Sequence, residues 1–385
     1  MRFLPLIRFL FCSDSNRTTF VAEWSTCLVI SKHDAFYMPT EILRGVFSHL
    51  PAKSLARASC VAKSWNCVTG ELNVREKVKL EKAWRCGEFE RRGMSFGAVN
   101  GTEWHTFTRS TQKGNLLLLK SPALIVALDI ESVCFRGFYA SGLNTPICLM
   151  DEGVLCAPDD GTVLVTNVQA FQTESLTVIT SFQVDFNIYE FADVGEYVAI
   201  CGQYGFLGLW EKNEYTCAEV LDEGDLDNHK YNPEKDLLCM AFCKETRMLV
   251  CGSRGGTLMV WNLGKYTLVK VIKGHSKSVL AVEMNETFIL SSSSDQTVRI
   301  WNRSSGECMQ VLENRKDNSW RVALCGDMFA RQSGNNIQIW NIDENLCIRQ
   351  FDGGLNIIGM HLMAQALTVV LLDGEIVTWD LVLPK

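Results

Sequence analysis

Four tryptophans, Trp261, Trp301, Trp340 and Trp379, stand 40, 39 and 39 residues apart, and each closes the same short pattern. The segments are GGTLMVWN (255–262), DQTVRIWN (295–302), GNNIQIWN (334–341) and DGEIVTWD (373–380), each a tight polar turn followed by an alternating apolar strand. Upstream, YGFLGLWE puts Trp210 in the same place, while DGTVLVTN and KGNLLLLK carry Thr166 and Leu119 there, with looser spacings of 47, 44 and 51 residues. Self-similarity with a period near 40 constrains the fold more than any other feature, because such a unit is one small twisted sheet that cannot bury both of its faces alone. Stacking the units around a ring buries them. Seven units over residues 91–385 predict an all-β, seven-bladed β-propeller.

The clearest unit runs from Gly274 to Leu312. Gly274-His275 opens it, SVLAVEM reads as the inner strand, FILSSSS as the second, TVRIW as the third and ECMQVL as the outer one. On these residues the unit resembles the WD-repeat family. The resemblance implies a hydrogen-bonding set of His275, Ser291 or Ser292, Asp295 and Trp301 that staples a blade and performs no catalysis, since a shared fold does not confer chemistry. The other units lack the histidine and are expected to rely more on packing. Only six residues follow Trp379, too few for a hairpin and an outer strand. A strand near residues 86–99 is therefore expected to complete the last blade, removing an exposed sheet edge.

Residues 38–70, MPTEILRGVFSHLPAKSLARASCVAKSWNCVTG, change from period two to helical spacing. Thr40 is an N-cap candidate with Glu41 at the positive end of the helix dipole. Ile42, Leu43, Val46, Phe47 and Leu50 then form one apolar stripe that Pro51 stops, and Leu55, Ala58, Val61, Trp65 and Val68 continue it. With Pro39, Glu41-Ile42-Leu43, Phe47, Leu50-Pro51, Leu55 and Val61-x-Lys63-x-Trp65, this run resembles an F-box. The resemblance implies a small all-α module that binds a Skp-type adaptor, and through it a cullin, by way of Pro39, Ile42, Leu43, Leu50, Pro51, Leu55, Val61 and Trp65. So small a module buries too little apolar surface to be robust alone, so a partner covering it is expected on physical grounds. Residues 71–90 are charged and free of Pro and Gly until Gly87, which predicts a helical connector.

Residues 1–37 read as a leader without structure. MRFLPLIRFLF is apolar enough to suggest a signal peptide, but Pro5 and Arg8 interrupt it and no clean small-residue cleavage site follows. A net charge of −7 and evenly spread Lys and Arg argue against a nucleic-acid-binding surface, and no run is long enough to span a bilayer. The sixteen cysteines lack the regular spacing of a disulfide scaffold, and many, including Cys148, Cys156, Cys201, Cys239, Cys243 and Cys251, sit in apolar runs where a thiol behaves as a small hydrophobe. A reducing compartment, cytoplasm or nucleus, is expected, and neither metal nor cofactor. Sequons at Asn16, Asn100, Asn285 and Asn302 matter only in a secreted protein.

The sequence carries no P-loop, G-x-S-x-G, zincin or kinase motif. His33, His105, His229 and His361 stand singly. Binding residues are expected instead on one face of the ring. Arg254, in the turn before a third strand, and Arg321, opening an inner strand where the neighbouring unit has Leu280, resemble positions where F-box/WD-repeat members that read phosphorylated degrons place phosphate-binding arginines. A guanidinium fork suits a phosphate dianion. Trp320, Lys277, Tyr204 and Ser294 are further candidates for that face. Joined to an F-box, the propeller is expected to be the client-binding part of a non-catalytic substrate receptor of a Skp-cullin-F-box ubiquitin ligase. The alternative is a WD-repeat scaffold that recruits no ligase. A secreted propeller enzyme would additionally need export, disulfides and glycans.

Overall fold

The structure, a computed structural model, describes residues 8–14, 17–23, 27–30, 82–85, 87–95, 109–120, 124–130, 134–139, 146–150, 153–157, 162–167, 178–221, 233–313, 321–352, 356–372 and 375–382. The chain divides into two compact units, residues 1–87 and 88–385. In the first, Arg8–Asp14, Arg17–Glu23 and Cys27–Ile30 pair as an antiparallel three-stranded meander. This differs from the unstructured leader expected for residues 1–37. Runs such as FLFC, TTFVA and CLVI have the β-branched and aromatic content of strands, and short spacers between them permit hairpins. Residues 38–70, with the eight residues expected to meet an adaptor, lie outside the described residues. Of the helical connector expected over 71–90, residues 82–85 are helical, while 88–90 are strand.

The second unit is a ring of seven four-stranded antiparallel sheets. Blade 1 comprises Arg109–Lys113, Leu116–Lys120, Leu124–Asp129 and Cys134–Tyr139, and blade 2 Ile147–Leu149, Gly153–Cys156, Thr162–Asn167 and Val178–Gln183. Blade 3 comprises Ile188–Asp193, Tyr197–Gly202, Leu207–Glu211 and Cys217–Val220; blade 4, Leu237–Cys243, Met248–Ser253, Thr257–Asn262 and Thr267–Lys273. Blade 5 comprises Val279–Met284, Phe288–Ser293, Thr297–Asn302 and Cys308–Glu313, and blade 6 Val322–Cys325, Met328–Ser333, Asn336–Asn341 and Leu346–Asp352. In each the order runs from the innermost strand to the outermost. The second strands are buried almost throughout because both faces are covered by neighbouring blades, as FILSSS in blade 5 and MLVCGS in blade 4 illustrate.

Blade 7 has only three strands of its own, Ile357–Leu362, Ala366–Leu371 and Glu375–Val382, and Glu88–Ser95 supplies the fourth. The pairing runs without a break from Glu375 opposite Ser95 to Val382 opposite Glu88. Side chains reinforce it. Arg92 Nε donates to Asp380 Oδ2 at 2.6 Å, and the Phe89 ring meets that of Phe351 in blade 6 edge-on, at 5.1 Å.

One assignment from the repeat pattern is corrected. Leu116–Lys120 is the second strand of blade 1, preceded by Arg109–Lys113 across the Gly114-Asn115 turn, and the third strand is Leu124–Asp129. Leu128 faces Leu117 as Trp301 faces Ile289, so Leu128 and not Leu119 holds the tryptophan position. The interval to Thr166 becomes 38 residues, in line with the regular repeat. Up to their last residues, Lys120 and Asp129, both strands are apolar, and without a tryptophan the repeat pattern does not tell them apart. Thr166 keeps its place: a register shift opposite the tryptophan position recurs in blades 2 to 6.

The buried cysteines Cys148, Cys156, Cys201, Cys239, Cys243 and Cys251 are free thiols. Burial raises Cys148 to about 12 and Cys156 to about 11, so both stay protonated and unreactive. Deleting residues 88–95 is expected to leave the Glu375–Val382 edge unpaired, lowering the melting temperature and producing self-association by size-exclusion chromatography, whereas a monomer of unchanged stability would show that the closing strand is dispensable.

Candidate functional site

Blade 5 carries a continuous polar chain through its interior. Trp301 Nε1 donates to Ser291 Oγ at 2.8 Å, Ser291 donates to His275 Nε2 at 2.8 Å, and His275 Nδ1 donates to Asp295 Oδ2 at 2.8 Å. Asp295 is fixed further by Thr297 Oγ1 at 2.7 Å and by the Thr297 and Ser276 amides at 2.9 and 3.0 Å. Burial pushes the Asp295 carboxyl up, but bonds from Thr297, His275 and Ser276 outweigh it and hold it at about 2. Burial lowers His275 against the opposing pull of Asp295. A neutral imidazole is what this chain requires, since Nε2 must accept a proton from Ser291. Ser292, the other serine the resemblance allows, is buried one residue further along the second strand, where it pairs with Val298.

Equivalent positions elsewhere have lost the chain in different ways. In blade 4, Cys251 stands where blade 5 has Ser291, and the Trp261 indole N–H is buried without a hydrogen-bond partner. In blade 6 the position is Arg331, whose guanidinium lies 5.3 Å from the Trp340 ring. There Gln338 Oε1 accepts from both Arg331 Nε, at 3.1 Å, and Trp340 Nε1, at 3.2 Å.

The face bearing the turns before the third strands is the candidate binding surface. In blades 3, 4 and 5 the turn is held by the same bond to the loop that enters the inner strand: Gln203 N–H to Asn187 O at 3.0 Å, Arg254 N–H to Asp236 O at 2.8 Å, and Ser294 N–H to Ser278 O at 3.0 Å. Two glycines let neighbouring blades interlock there. Gly205, at φ +79, sits against Lys235 of blade 4, and a Cβ on Gly256, at φ +84, would lie 2.5 Å from His275 O and 2.8 Å from Lys277 O of blade 5. Tyr204, Arg254 and Lys277 are thereby brought onto one continuous strip across three blades, with Ser294 exposed in the blade 5 turn.

Within that strip Arg254 is anchored. Its Nη2 lies 3.2 Å from Asp236 Oδ2, with the arginine side chain 42% exposed and the aspartate 0%, and its guanidinium carbon is 5.9 Å from the Tyr189 ring centroid. Asp236 Oδ1 accepts the Tyr204 amide at 2.9 Å. Neither Asp236 nor Tyr189 was evident from sequence: an acidic residue before an inner strand carries no signal until the turn of the preceding blade is seen to close on it.

Arg321 belongs to a different setting. Its register places it where blade 5 has Ala281, not Leu280, because Val322 pairs with Arg331 as Val282 pairs with Ser291. The inner strand of blade 6 lacks the shift that opens those of blades 3, 4, 5 and 7, which accounts for the one-residue difference. Burial, then the charge of Arg109, lowers Arg321 to about 9, with Glu190 opposing. Arg109 bonds Glu190 Oε2 at 2.9 Å and Tyr189 O at 3.1 Å, and Ser110 Oγ lies 2.9 Å from His361 Nε2. Burial, then Glu190, raises Glu283 to about 7. The inner strands of blades 1, 3, 5, 6 and 7 thus line the axis with ionisable groups, and Tyr189 links this set to Arg254. Trp320 lies outside the described residues. Among the described residues there is no cluster of three or more His, Cys, Asp or Glu suited to a metal.

Residues 36–72 match the F-box-like family, and residues 224–262 and 266–302 match the WD domain, G-beta repeat. An F-box/WD-40 repeat-containing protein of Arabidopsis thaliana is 30% identical over 115 residues, 26% of this chain and 21% of that protein. Cell division control protein 4 of Candida albicans is 26% identical over 137 residues, 30% of this chain and 20% of that protein. A WD repeat-containing protein 89 homolog of Dictyostelium discoideum is 27% identical over 107 residues, covering 27% of this chain and 30% of that one. The matched stretches thus span at most 30% of these curated relatives. In fold, the chain is similar to the crystal structure of the computationally designed Ika8 protein, with a TM-score of 0.54 at 16% identity over 74% of this chain and 99% of that one.

Two outcomes are expected. Trp301→Phe removes a made hydrogen bond and Trp261→Phe does not, so the former should cost about 1 kcal/mol more in urea-unfolding free energy; equal costs would show that the indole bond contributes nothing. Burial, then the Arg321 charge, lowers His361 to about 4. The unfolded chain therefore takes up this proton near pH 6.5 and the folded chain only near 4, so stability falls as pH drops between those values. His361→Gln should flatten that slope in melting curves.

Proposed function

We propose that this chain, an F-box/WD-repeat protein, is the substrate receptor of a Skp-cullin-F-box ubiquitin ligase. Its F-box docks on a Skp-type adaptor, and its propeller holds a client protein. The observation that carries the reading is the joining of an F-box-like segment at 36–72 to a closed seven-bladed ring that presents Tyr204, Arg254 and Lys277 on one interlocked strip. Such a chain catalyses nothing itself. It raises the effective concentration of the client beside the conjugating enzyme and orients the client's lysines.

Arg254 suits a client bearing an acidic or phosphorylated residue. Asp236 meets only its Nη2 edge, and an anion can fork onto the remaining donors. Lys277 adds positive charge on the same strip, and Tyr204 a ring that is 54% exposed. Arg321, further in along the axis, reaches a client only through a segment entering the channel mouth, so its contribution is expected to be smaller than that of Arg254. The free thiols fit work in the cytoplasm or nucleus.

Affinity capture of the full chain under phosphatase inhibition is expected to recover a Skp-type adaptor and a cullin, and Leu50→Asp with Pro51→Ala to lose both while the propeller's melting transition is unchanged. Failure of the parent chain to bring down either would favour the scaffold reading. Arg254→Glu should lower capture of phosphorylated clients at least tenfold with adaptor binding intact, and undiminished capture would remove the anion-reading role.

A further inference from the structure

Blade 5 spends the carboxylate of its turn, Asp295, on its own His275. The same turn position is Gly255 in blade 4 and Tyr204 in blade 3, so neither blade can form that bond. A carboxylate is present nonetheless, displaced to the loop before the inner strand of blade 4. Asp236 is fully buried and its two oxygens serve two blades. Oδ1 accepts the Tyr204 amide of blade 3 at 2.9 Å, and Oδ2 holds Arg254 Nη2 of blade 4 at 3.2 Å, with the Tyr189 hydroxyl at 3.4 Å.

Two of the three residues bonded to this carboxylate, Tyr204 and Arg254, are exposed, and the first is strained. Tyr204 adopts φ 64, ψ 11, a left-handed conformation that an aromatic residue holds only when its surroundings impose it. The turn closes around it through Phe206 N–H to Gln203 O, and its amide is held by Asp236. A surface arginine ordinarily samples many rotamers. Arg254 is held at one edge by Asp236 and lies over the Tyr189 ring at 5.9 Å, with its side chain 42% exposed. The Tyr204 backbone and the Arg254 guanidinium therefore stand at a spacing set by the width of one carboxylate.

We infer that Asp236 is a positioning residue of the client strip, presetting the Tyr204 turn and the Arg254 guanidinium without itself reaching a client. The inference rests on reading that strip as the client-binding surface. It differs from two other roles for the same carboxylate: a mere staple between blades, and a counter-ion that competes with the client's own anion. Preorganisation makes binding depend on Asp236 through Arg254. A staple leaves affinity unchanged once the protein is folded, and a competing counter-ion makes affinity rise when it is removed.

The test uses the full chain with its adaptor and, as probe, a degenerate peptide pool with one fixed phosphothreonine, followed by fluorescence anisotropy at several salt concentrations. Asp236→Asn retains an acceptor for the Tyr204 amide but no charge to hold Arg254. It is expected to bind about tenfold more weakly with the salt dependence of the parent. Arg254→Lys keeps charge but loses the fork, and the double variant is expected to be no weaker than the weaker single one, since the two residues act as a unit. Affinity equal to or above that of the parent in Asp236→Asn, or losses that add in the double variant, would overturn the inference. Should Asp236→Asn fail to fold, Asp236→Ser replaces it under the same criteria, because Ser278 occupies that position in blade 5. A parent that ignores the pool, or an Arg254→Glu variant that binds it as tightly as the parent, removes the client reading itself.

Discussion

Everything in the ring depends on one strand pairing, that of Glu88–Ser95 with Glu375–Val382. A propeller without closure has two exposed blade faces and a free sheet edge, each a large apolar or unpaired surface in water. Strand pairing across the junction removes them together. Once it forms, each blade is packed on both sides, and the second strands can be buried almost wholly, as LLLL in blade 1 and MLVCGS in blade 4 are. Packing of that kind tolerates wide variation in what each blade carries inside.

That tolerance explains how little of the polar interior repeats. Blade 5 alone among the described blades has the full Trp301–Ser291–His275–Asp295 chain. Blade 6 meets its tryptophan with Gln338 and Arg331, and blade 4 leaves the Trp261 indole unmet. Where a blade lacks its internal staple, bonds between blades take over. Asp236 ties blade 4 to blade 3, while Arg109 and Lys113 of blade 1 both reach blade 3, at Glu190 and Asp193. Such ties form late, once non-local elements have met, and each leaves some polar group turned towards the face or the axis. The candidate site is thus built from the devices that hold the irregular blades in the ring.

Sequence showed most of this architecture where a tryptophan marked the register. Blades 3 to 7 were legible from Trp210, Trp261, Trp301, Trp340 and Trp379, and the closing strand from the shortage of chain after the last of them. Blade 1 was misplaced by one strand because LLLLK and LIVALD have the same apolar character, and only pairing decides which is second and which third. Arg321 was misplaced by one residue for a related reason: the inner strand of the neighbouring blade 5, like those of blades 3, 4 and 7, contains a register shift that no residue type announces. Arg254 was visible as a charge in a turn where small residues are usual. Asp236 was not, because its role exists only when the Gln203–Phe206 turn of blade 3 is folded against blade 4.

The closing pair also fixes an order of events. Arg92 and Asp380, bonded across the junction, are 288 residues apart in the chain. At a synthesis rate of roughly 5–20 residues per second, the strand at 88–95 emerges about 15–60 s before its partner exists. During that interval six blades can assemble in sequence, each on the one before, with the waiting strand unpaired beside the first. The ring therefore cannot close until its last blade has been made, and the strand at 88–95 has no pairing partner for most of the time it takes to translate the rest.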